Sequence, residues 1–343
     1  MSAEQEATIQ TSRIPSIGAI VKEARPRQMV KNGLVLVPLF FTVNIWYSGD
    51  DIAGMAAIVG RAFAALGIFV LLSAAVYFIN DSIDIDQDRA HPRKRHRPIA
   101  AGRISVGWAI GLAVVFIVGA FAASLAISAI MLIIVAAYLA TNVVYSWWIK
   151  NVVLLDVMAV ASGFVLRAVA GSVAIDHAVI DRSGAAVELN LTISPWLYVV
   201  TALGALFLAL AKRRGELFSA GDNSQAHRSI LSEYSLPLLD NLINVIATAT
   251  LIAYTLYTFS TGVAEANVPT NNSMMLTIPF VAYGIMRYLY LIHVRGDGKA
   301  PEEILIRDWP LRINIFLWLI TGSSVLIWDR LGSWGLIWDR FFN

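Results

Sequence analysis

Long apolar stretches separated by short polar and charged segments dominate the chain. Stretches of about 18 or more apolar residues are long enough to cross the hydrocarbon core of a membrane as helices. The pattern predicts nine such spans, and only the short stretch 124–128 separates the third from the fourth. They run over residues 29–46, 57–80, 105–125, 127–148, 152–175, 195–211, 242–260, 274–293 and 311–328. The sequence therefore predicts an all-α integral membrane bundle, folded as a single membrane-embedded domain over residues 1–343.

Composition supports a membrane protein and excludes several chemistries. Of the 343 residues, 57% are hydrophobic and 15% are charged, whereas soluble domains carry about 25% charged residues. The chain has no cysteine, which excludes disulfides, cysteine-ligated zinc and a thiol nucleophile. Its first residues are polar and include Glu4 and Glu6, so no cleavable signal peptide is expected.

Positive charge alternates between the two sides of the predicted bundle. Most of the 26 Lys and Arg residues lie in the N-terminal arm and in every second loop, while the intervening loops carry few. Cytoplasmic loops of membrane proteins are enriched in this way. We therefore expect residues 1–25 to form a cytoplasmic arm, the C-terminus to be extracytoplasmic, and the protein to lie in the inner (cytoplasmic) membrane.

Four carboxylates follow the second predicted span within eight residues, and Asn80 precedes them. On a continuous helix Asp81, Asp84 and Asp88 would lie within roughly 60° of one another, with Asp86 on the far side. Such carboxylates repel one another unless a cation lies between them, and oxygen ligands suit magnesium. The basic run 91–98, His-Pro-Arg-Lys-Arg-His-Arg-Pro, follows directly. Acidic residues that can bind a metal ion, next to basic residues that can bind phosphate, indicate a reaction on a diphosphate at the membrane surface.

Charged residues inside the later spans predict a polar cavity, because charges in hydrocarbon are costly and usually face the bundle interior. Asp156 and Arg167 share one helical stripe, about 16 Å apart. Simpler interpretations remain open: Lys150 could extend to the interface, and Arg167 could form a structural ion pair with Asp156 or Glu216. Further candidates at the cytoplasmic span ends are Tyr145, Lys150, Lys212, Arg213 and Glu216.

The motif Asn80-Asp81-x-x-Asp84-x-x-x-Asp88 after the second of nine spans resembles that of the UbiA superfamily of membrane prenyltransferases. The resemblance covers nearly the whole chain. It implies two facing acid-rich loops that hold magnesium and a diphosphate. The second loop departs from the aromatic prenyltransferase pattern, since residues 212–217 read Lys-Arg-Arg-Gly-Glu-Leu and provide one nearby acid. The second loop therefore does not predict a second magnesium held by several carboxylates.

Three further stretches resemble the decaprenyl-phosphate phosphoribosyltransferase branch of that superfamily. They are residues 25–32, residues 91–102, and the segment from Tyr145 through Lys150 and Asp156 to Arg167. The branch resemblance implies transfer of 5-phosphoribose from phosphoribosyl pyrophosphate (PRPP) to a polyprenyl (decaprenyl) phosphate, with release of pyrophosphate. Its expected partners are PRPP, the lipid phosphate and the membrane, without nucleic acid. The oligomeric state stays open.

The resemblance assigns roles to individual residues, in an active site that faces the cytoplasm. Mg²⁺ would be held by Asp81, Asp84 and Asp88, with Asn80 as an auxiliary ligand. The expected catalytic residues are these three acids with Lys150 and Arg167. The expected substrate-binding residues are Lys31, Asn32, Asn80, Lys94, Arg97, Tyr145, Asp156, Lys212, Arg213 and Glu216.

Two other functions remain compatible with a membrane protein of this composition. The first is prenyl transfer from a polyprenyl diphosphate to an aromatic or other acceptor, which the cationic second loop and the deep Arg167 disfavour. The second is transport of a phosphorylated solute. Transporters often show repeats and broken helices near the midplane, but no convincing repeat relates the two halves, and the charged residues concentrate at one face.

Overall fold

The computed structural model describes residues 14–331 except 49–50, 93, 183, 192–193, 221–228, 260–267, 270–271 and 296–300. Helices make up most of this part of the chain. They are α1 Ile17–Glu23, α2 Val37–Phe41, α3 Val43–Trp46, α4 Ile52–Ile83, α5 Ile85–Ala90, α6 Val106–Ile127, α7 Ala129–Trp147, α8 Leu155–Ile175, α9 Pro195–Ala220, α10 Leu236–Phe259, α11 Ile278–His293, α12 Pro301–Arg307 and α13 Trp309–Leu331. Short 3-10 helices occupy Pro26–Leu36, Lys94–His96, Ile149–Asn151, Ser229–Glu233 and Ser273–Thr277.

Eight helical stretches in the described part of the chain are long and apolar enough to cross a membrane. They correspond to the second to ninth predicted spans. The predicted hairpin between the third and fourth spans is confirmed, because Ser128 is extended and separates α6 from α7. Its side-chain oxygen accepts a hydrogen bond from the backbone N–H of Met131 and so caps the start of α7.

The first predicted span, residues 29–46, is not one continuous helix. A 3-10 helix occupies Pro26–Leu36, and α2 and α3 follow as short pieces separated at Thr42. Pro38 lies at the start of α2, where its missing N–H is tolerated, whereas further inside a helix it would break the ladder. The apolar pattern of 29–46 is thus correctly identified, but its prediction as one regular helix is wrong.

The all-helical prediction also omits one small sheet. Strands β1 Val179–Arg182 and β2 Ala185–Glu188 pair antiparallel, with Val179 opposite Glu188. Gly184 in the turn has a φ of 84°, which a glycine adopts without strain. The Asp51 side chain accepts a hydrogen bond from the backbone N–H of Asp181 at 2.8 Å and anchors the hairpin.

The chain forms two compact units. The first unit comprises Met1–Gly33 and Phe63–Ser146, and the second comprises Leu34–Ala62 and Trp147–Asn343. In the first unit, apolar residues of α1, α4, α6 and the loop after α5 share one core. This core includes Ala19, Ala75, Phe78, Ile99, Ile104, Ala109 and Ala113. It fixes the N-terminal arm and the basic loop beside the end of α4.

The second unit has its largest core among α8 to α13. Buried members of this core include Val157, Phe207, Leu239, Tyr288, Ile304 and Leu311. Large apolar side chains on the helix surfaces remain exposed, for example Val115, Val245 and Phe316. Exposed apolar faces of this extent are costly in water and favourable in hydrocarbon. The fold is therefore that of a multi-pass membrane protein.

Candidate functional site

The end of α4 bends at Asp84, so the acid motif does not lie on one continuous helix. Asp84 has φ −89° and ψ 13° and joins α4 to α5. Asp81 and Asp88 are buried, 3% and 1% exposed, whereas the Asp86 side chain is 93% exposed. Asp84 is half-buried. The bend keeps Asp81 and Asp88 on the protein side and leaves Asp86 pointing away.

One arginine joins the two buried carboxylates. Nη1 of Arg97 lies 3.1 Å from Oδ1 of Asp81 and 2.6 Å from Oδ2 of Asp88. Arg25 from the N-terminal arm pairs with the carboxylate of Asp81, and Nζ of Lys94 lies 3.8 Å from Oδ1 of Asp88. Three basic side chains thus compensate two acids that would otherwise repel each other.

A divalent cation fits part of this donor set. The carboxylates of Asp81 and Asp88 both reach one point, the position of the Arg97 nitrogen, and carboxylate oxygens are the ligands that Mg²⁺ takes in proteins. The four predicted ligands are not assembled around one point, because the described residues contain no set of three acidic, histidine or cysteine side chains close enough to hold an ion. Oδ1 of Asn80 instead accepts a hydrogen bond from Oγ of Ser146 at 3.3 Å.

Glu23 is a member of this cluster that the sequence analysis missed. It is 1% exposed, and its Oε2 accepts a hydrogen bond from the backbone N–H of Ile99 at 3.3 Å. Burial, together with the neighbouring Asp81 carboxyl, raises the pKa of Glu23 to about 8. A signal was present: Glu23 is the single acid between Glu6 and Asp50 in a segment rich in Lys and Arg.

An open cavity of about 190 Å³ adjoins Glu23. Two segments of the first unit form its walls, the N-terminal arm and the basic loop after α5. The lining residues are Lys22, Glu23, Arg25, His96, Arg97 and Pro98. Four basic side chains therefore line the cavity, together with the buried carboxyl group of Glu23.

Lys31 and Asn32 also belong to the first unit. Nζ of Lys31 lies 6.0 Å from the centre of the Tyr77 ring, whose face Arg25 also covers at 4.7 Å. Asn32 is fully buried, and its Oδ1 accepts a hydrogen bond from Ser73 at 3.1 Å. Tyr145 is half-buried near the end of α7.

The second unit contains a separate buried ion pair. Nε of Arg213 on α9 lies 2.6 Å from Oδ2 of Asp156 on α8, and Arg213 also pairs with Glu216. The hydroxyl of Tyr234 donates to Oδ1 of Asp156 at 2.7 Å and accepts from the backbone N–H of Leu154 at 2.8 Å. Leu154 has a positive φ of 66°. Tyr234 therefore holds a strained turn and a buried acid together.

This pairing decides an interpretation that the sequence left open, an ion pair of Arg167 with Asp156 or Glu216. The partner of Asp156 is Arg213 and not Arg167, whose Nη1 donates to the carbonyl of Gly163 at 2.7 Å. Glu216 pairs with Arg213 and not with Lys212, which is exposed. Side chains three or four apart on a helix are neighbours, but packing against α8 selects Arg213 as the residue that faces inward. Lys150 is half-buried in its 3-10 turn.

Two further ion pairs tie helices of the second unit together. Arg214 pairs with Asp240, which also lies 3.2 Å from Nε2 of His293. Arg287 and Asp308 form a bidentate pair at 2.8 and 3.2 Å. Arg214 is therefore engaged in helix packing, beyond any part it has in membrane orientation.

Comparisons with known proteins agree with this architecture. The sequence profile of the UbiA prenyltransferase family matches residues 35–320, a range that runs through both units. A decaprenyl-phosphate phosphoribosyltransferase from Mycolicibacterium smegmatis is 33% identical over 90% of this chain and 93% of its own length. A protein of the same name from Corynebacterium glutamicum is 32% identical, over 88% of this chain and 84% of its own.

Solved structures show the same fold. A UbiA homolog from Archaeoglobus fulgidus, bound to DMAPP and Mg²⁺, aligns with a TM-score of 0.62 at 18% identity, over 90% of this chain and 98% of its own. The fold, the family profile and the similarity of nearly full-length relatives all agree. The chain therefore belongs to the UbiA prenyltransferase family and is a multi-pass membrane transferase.

Proposed function

We propose that the protein transfers 5-phosphoribose from PRPP to a polyprenyl (decaprenyl) phosphate, with Mg²⁺ as cofactor. The names of its relatives support the acceptor and the transferred group. The observation that carries the proposal is the cluster in which Arg97 joins Asp81 and Asp88, with Arg25 and Lys94 beside them. Buried carboxylates can bind the metal ion, and the basic side chains between them can bind phosphate, so the cluster suits a magnesium-bound diphosphate.

In this reaction the bond between C1 of the ribose and the pyrophosphate oxygen breaks, and its electron pair leaves with pyrophosphate. A new bond forms between C1 and an oxygen of the lipid phosphate. That phosphate is already ionised at neutral pH, so no general base is needed. Bound Mg²⁺ would neutralise the charge that develops on the leaving group.

The residues of the first unit have proposed roles of two kinds. Asp81, Asp84 and Asp88, with Asn80, would hold the cation. The bases Arg25, Lys94 and Arg97 would turn from these carboxylates to the phosphates of the donor, since arginine suits bidentate phosphate contacts. Lys31 and Asn32 remain proposed substrate contacts. Catalysis then consists of positioning and electrostatic stabilisation.

In the second unit, we propose roles for the candidate residues from the chemical type of each side chain. Lys150, Arg167 and Lys212 would contact phosphate groups. Arg213 would act through its ion pair with Asp156 and Glu216. Tyr145 remains a proposed substrate contact near the cytoplasmic end of α7.

We also propose that the broken segment 26–46 crosses the membrane as a ninth span, with the N-terminus cytoplasmic and the C-terminus extracytoplasmic. The distribution of Lys and Arg between alternate loops supports this orientation. It would place the acid motif and the basic loop at the cytoplasmic face of the inner membrane, where a water-soluble sugar donor is available. The tail of the lipid phosphate would stay in the bilayer.

The test is a product assay with the purified protein in lipid nanodiscs. With labelled PRPP, decaprenyl phosphate and Mg²⁺, the label should move into the lipid fraction and pyrophosphate should be released. Removal of Mg²⁺ by chelation should stop the reaction, and added Mg²⁺ should restore it. Transfer from a labelled prenyl diphosphate to an aromatic acceptor, with PRPP unused, would contradict the proposal, as would uptake of intact PRPP into sealed vesicles.

A further inference from the structure

The open cavity of the first unit contains two basic side chains that the cluster around Asp81 does not use. Of the four basic residues in its lining, Arg25 and Arg97 are paired with Asp81. The side chains of Lys22 and His96 are exposed, and they form no hydrogen bond or ion pair with the residues that the structure describes. An ammonium group and a ring N–H can both donate to the oxygens of an anion.

The cavity is separate from the proposed metal ligands. Among the residues that the structure describes, Asp81, Asp84 and Asp88 are not part of its lining. Glu23 is the one acid that lines it, and its carboxyl group is hydrogen-bonded within the protein, to Asp81 and to the backbone N–H of Ile99. The volume of about 190 Å³ is several times the roughly 30 Å³ that one water molecule occupies in the liquid, so a phosphate group fits.

The proposed donor carries two kinds of phosphate group. Its pyrophosphate would lie at the cation, because bound Mg²⁺ neutralises the charge of the leaving group. Its 5-phosphate is attached at the other end of the sugar, away from the bond that breaks, and requires positive charge but no metal. A cavity that is lined by basic side chains and lies apart from the metal-binding acids suits this second group.

We propose that Lys22 and His96 bind the 5-phosphate of the donor substrate, in a subsite that adjoins the metal-bound pyrophosphate. This inference rests on the proposed function, because it concerns the same donor. It explains how the protein selects PRPP over a prenyl diphosphate, which has no third phosphate for the cavity to bind. Lys22 from the N-terminal arm and His96 from the basic loop are thus specificity-determining residues.

The test uses Lys22→Gln and His96→Gln, which replace the basic groups with neutral polar side chains. Arg95→Gln is the matched control, since Arg95 is an exposed base of the same loop outside the cavity lining. With PRPP, each cavity variant should raise KM about tenfold, the lower end of the range for a lost hydrogen bond to a charged group. Its kcat should stay within about twofold, because a contact remote from the reacting bond is equally strong in the ground and transition states. Arg95→Gln should change neither value by more than about twofold.

Partial ligands show which phosphate the cavity binds. Ribose 5-phosphate lacks the pyrophosphate, and its inhibition constant should rise about tenfold in Lys22→Gln. Inhibition by inorganic pyrophosphate should stay within about twofold in every variant. Ribose 1-pyrophosphate, which lacks the 5-phosphate, should be a poor donor for the unaltered protein, and Lys22→Gln should not lower its kcat/KM further.

Two outcomes would overturn the inference while the proposed function stands. Weaker inhibition by pyrophosphate, with unchanged inhibition by ribose 5-phosphate, would assign the cavity to the leaving group. Equal losses of kcat/KM with PRPP and with ribose 1-pyrophosphate would assign Lys22 a structural or general electrostatic role. Thermal unfolding profiles identify any variant that misfolds.

If the unaltered protein does not consume PRPP, the proposed function itself fails. Calorimetry with ribose 5-phosphate then decides the subsite separately. Binding to the unaltered protein that is lost in Lys22→Gln would support it, whereas no binding, or equal binding by both proteins, would overturn it.

Discussion

At the scale of single residues, Arg97 neutralises the charge of the acid motif. Its guanidinium lies where two buried carboxylates meet, and Arg25 and Lys94 add further positive charge. Removing one partner of a buried ion pair leaves an uncompensated charge, which is strongly destabilising. These three bases hold the two acids in place.

Asp84 and Asp86 form a matched pair for testing the metal site. Asp84 is half-buried and makes no side-chain cap to α5, so Asp84→Asn should leave the fold intact. It should lower kcat by about a hundredfold or more, because a lost metal ligand weakens leaving-group stabilisation. Asp86, with its exposed side chain, provides the control: Asp86→Asn should stay within about twofold. The measurement is PRPP turnover against Mg²⁺ concentration, and normal turnover by Asp84→Asn would remove Asp84 from the site.

Tyr234 should be important for stability in the second unit. The change Tyr234→Phe removes the hydrogen bonds to Leu154 and Asp156 without changing the ring. The loss should cost about 1 to 3 kcal/mol and lower the apparent Tm in a thermal unfolding experiment. Tyr47→Phe is the control, since Tyr47 is exposed. Equal Tm values for the two variants would show that the Tyr234 hydroxyl contributes nothing to stability.

At the level of helices, Val35 and Pro38 of the first span lie very close to α8. A Cβ placed on Gly171 would lie 1.9 Å from the carbonyl oxygen of Val35 and 3.1 Å from Cδ of Pro38. These are backbone and ring atoms that cannot rotate away. Glycine is therefore required at this position of α8 for steric reasons, although alanine is the better helix former.

We expect Gly171→Ala to destabilise the protein by about 1 to 3 kcal/mol, the usual cost of overpacking. Gly119→Ala on α6 is the matched control, because a Cβ there meets nothing within 4 Å. That variant should be neutral or slightly more stable, since alanine has the higher helix propensity. Apparent Tm values in the same detergent provide the comparison. A Gly171→Ala protein as stable as the Gly119→Ala protein would contradict the packing described for α8.

At the scale of the whole molecule, the family profile spans both units, and the part of the chain that the structure describes contains eight helices long and apolar enough to cross a membrane. Exposed apolar faces on these helices suit hydrocarbon. Two buried arginines within the spans are paired, Arg213 with the carboxylate of Asp156 and Arg167 with the backbone carbonyl of Gly163. Such pairing is expected because an unpaired charge is costly in a medium of low dielectric constant.

The absence of native cysteine permits a direct test of orientation. A single cysteine at Gln87, exposed in α5, should be cytoplasmic, and one at Ala186, exposed in β2, should be extracytoplasmic. In intact cells a membrane-impermeant maleimide should label Ala186→Cys and spare Gln87→Cys, and cell lysis should expose both. The reverse pattern in intact cells would invert the proposed topology.

The sequence by itself determined the membrane class, the family and the approximate positions of eight spans. These depend on long apolar runs and on a local motif, and both can be identified from the order of residues alone. It also identified Asp81, Asp88, Lys94 and Arg97 as candidate residues, because their spacing within residues 80–98 is local.

Tertiary structure alone decided which charges meet. The choice of Arg213 over Arg167 as partner of Asp156 and the position of Glu23 beside Asp81 both arise from packing between segments far apart in the chain. The bend at Asp84 interrupts the straight helix on which the periodicity argument depends. Helical periodicity describes one straight helix and cannot report such contacts. The close approach between Gly171 and Val35 is likewise a contact between positions more than a hundred residues apart in the chain.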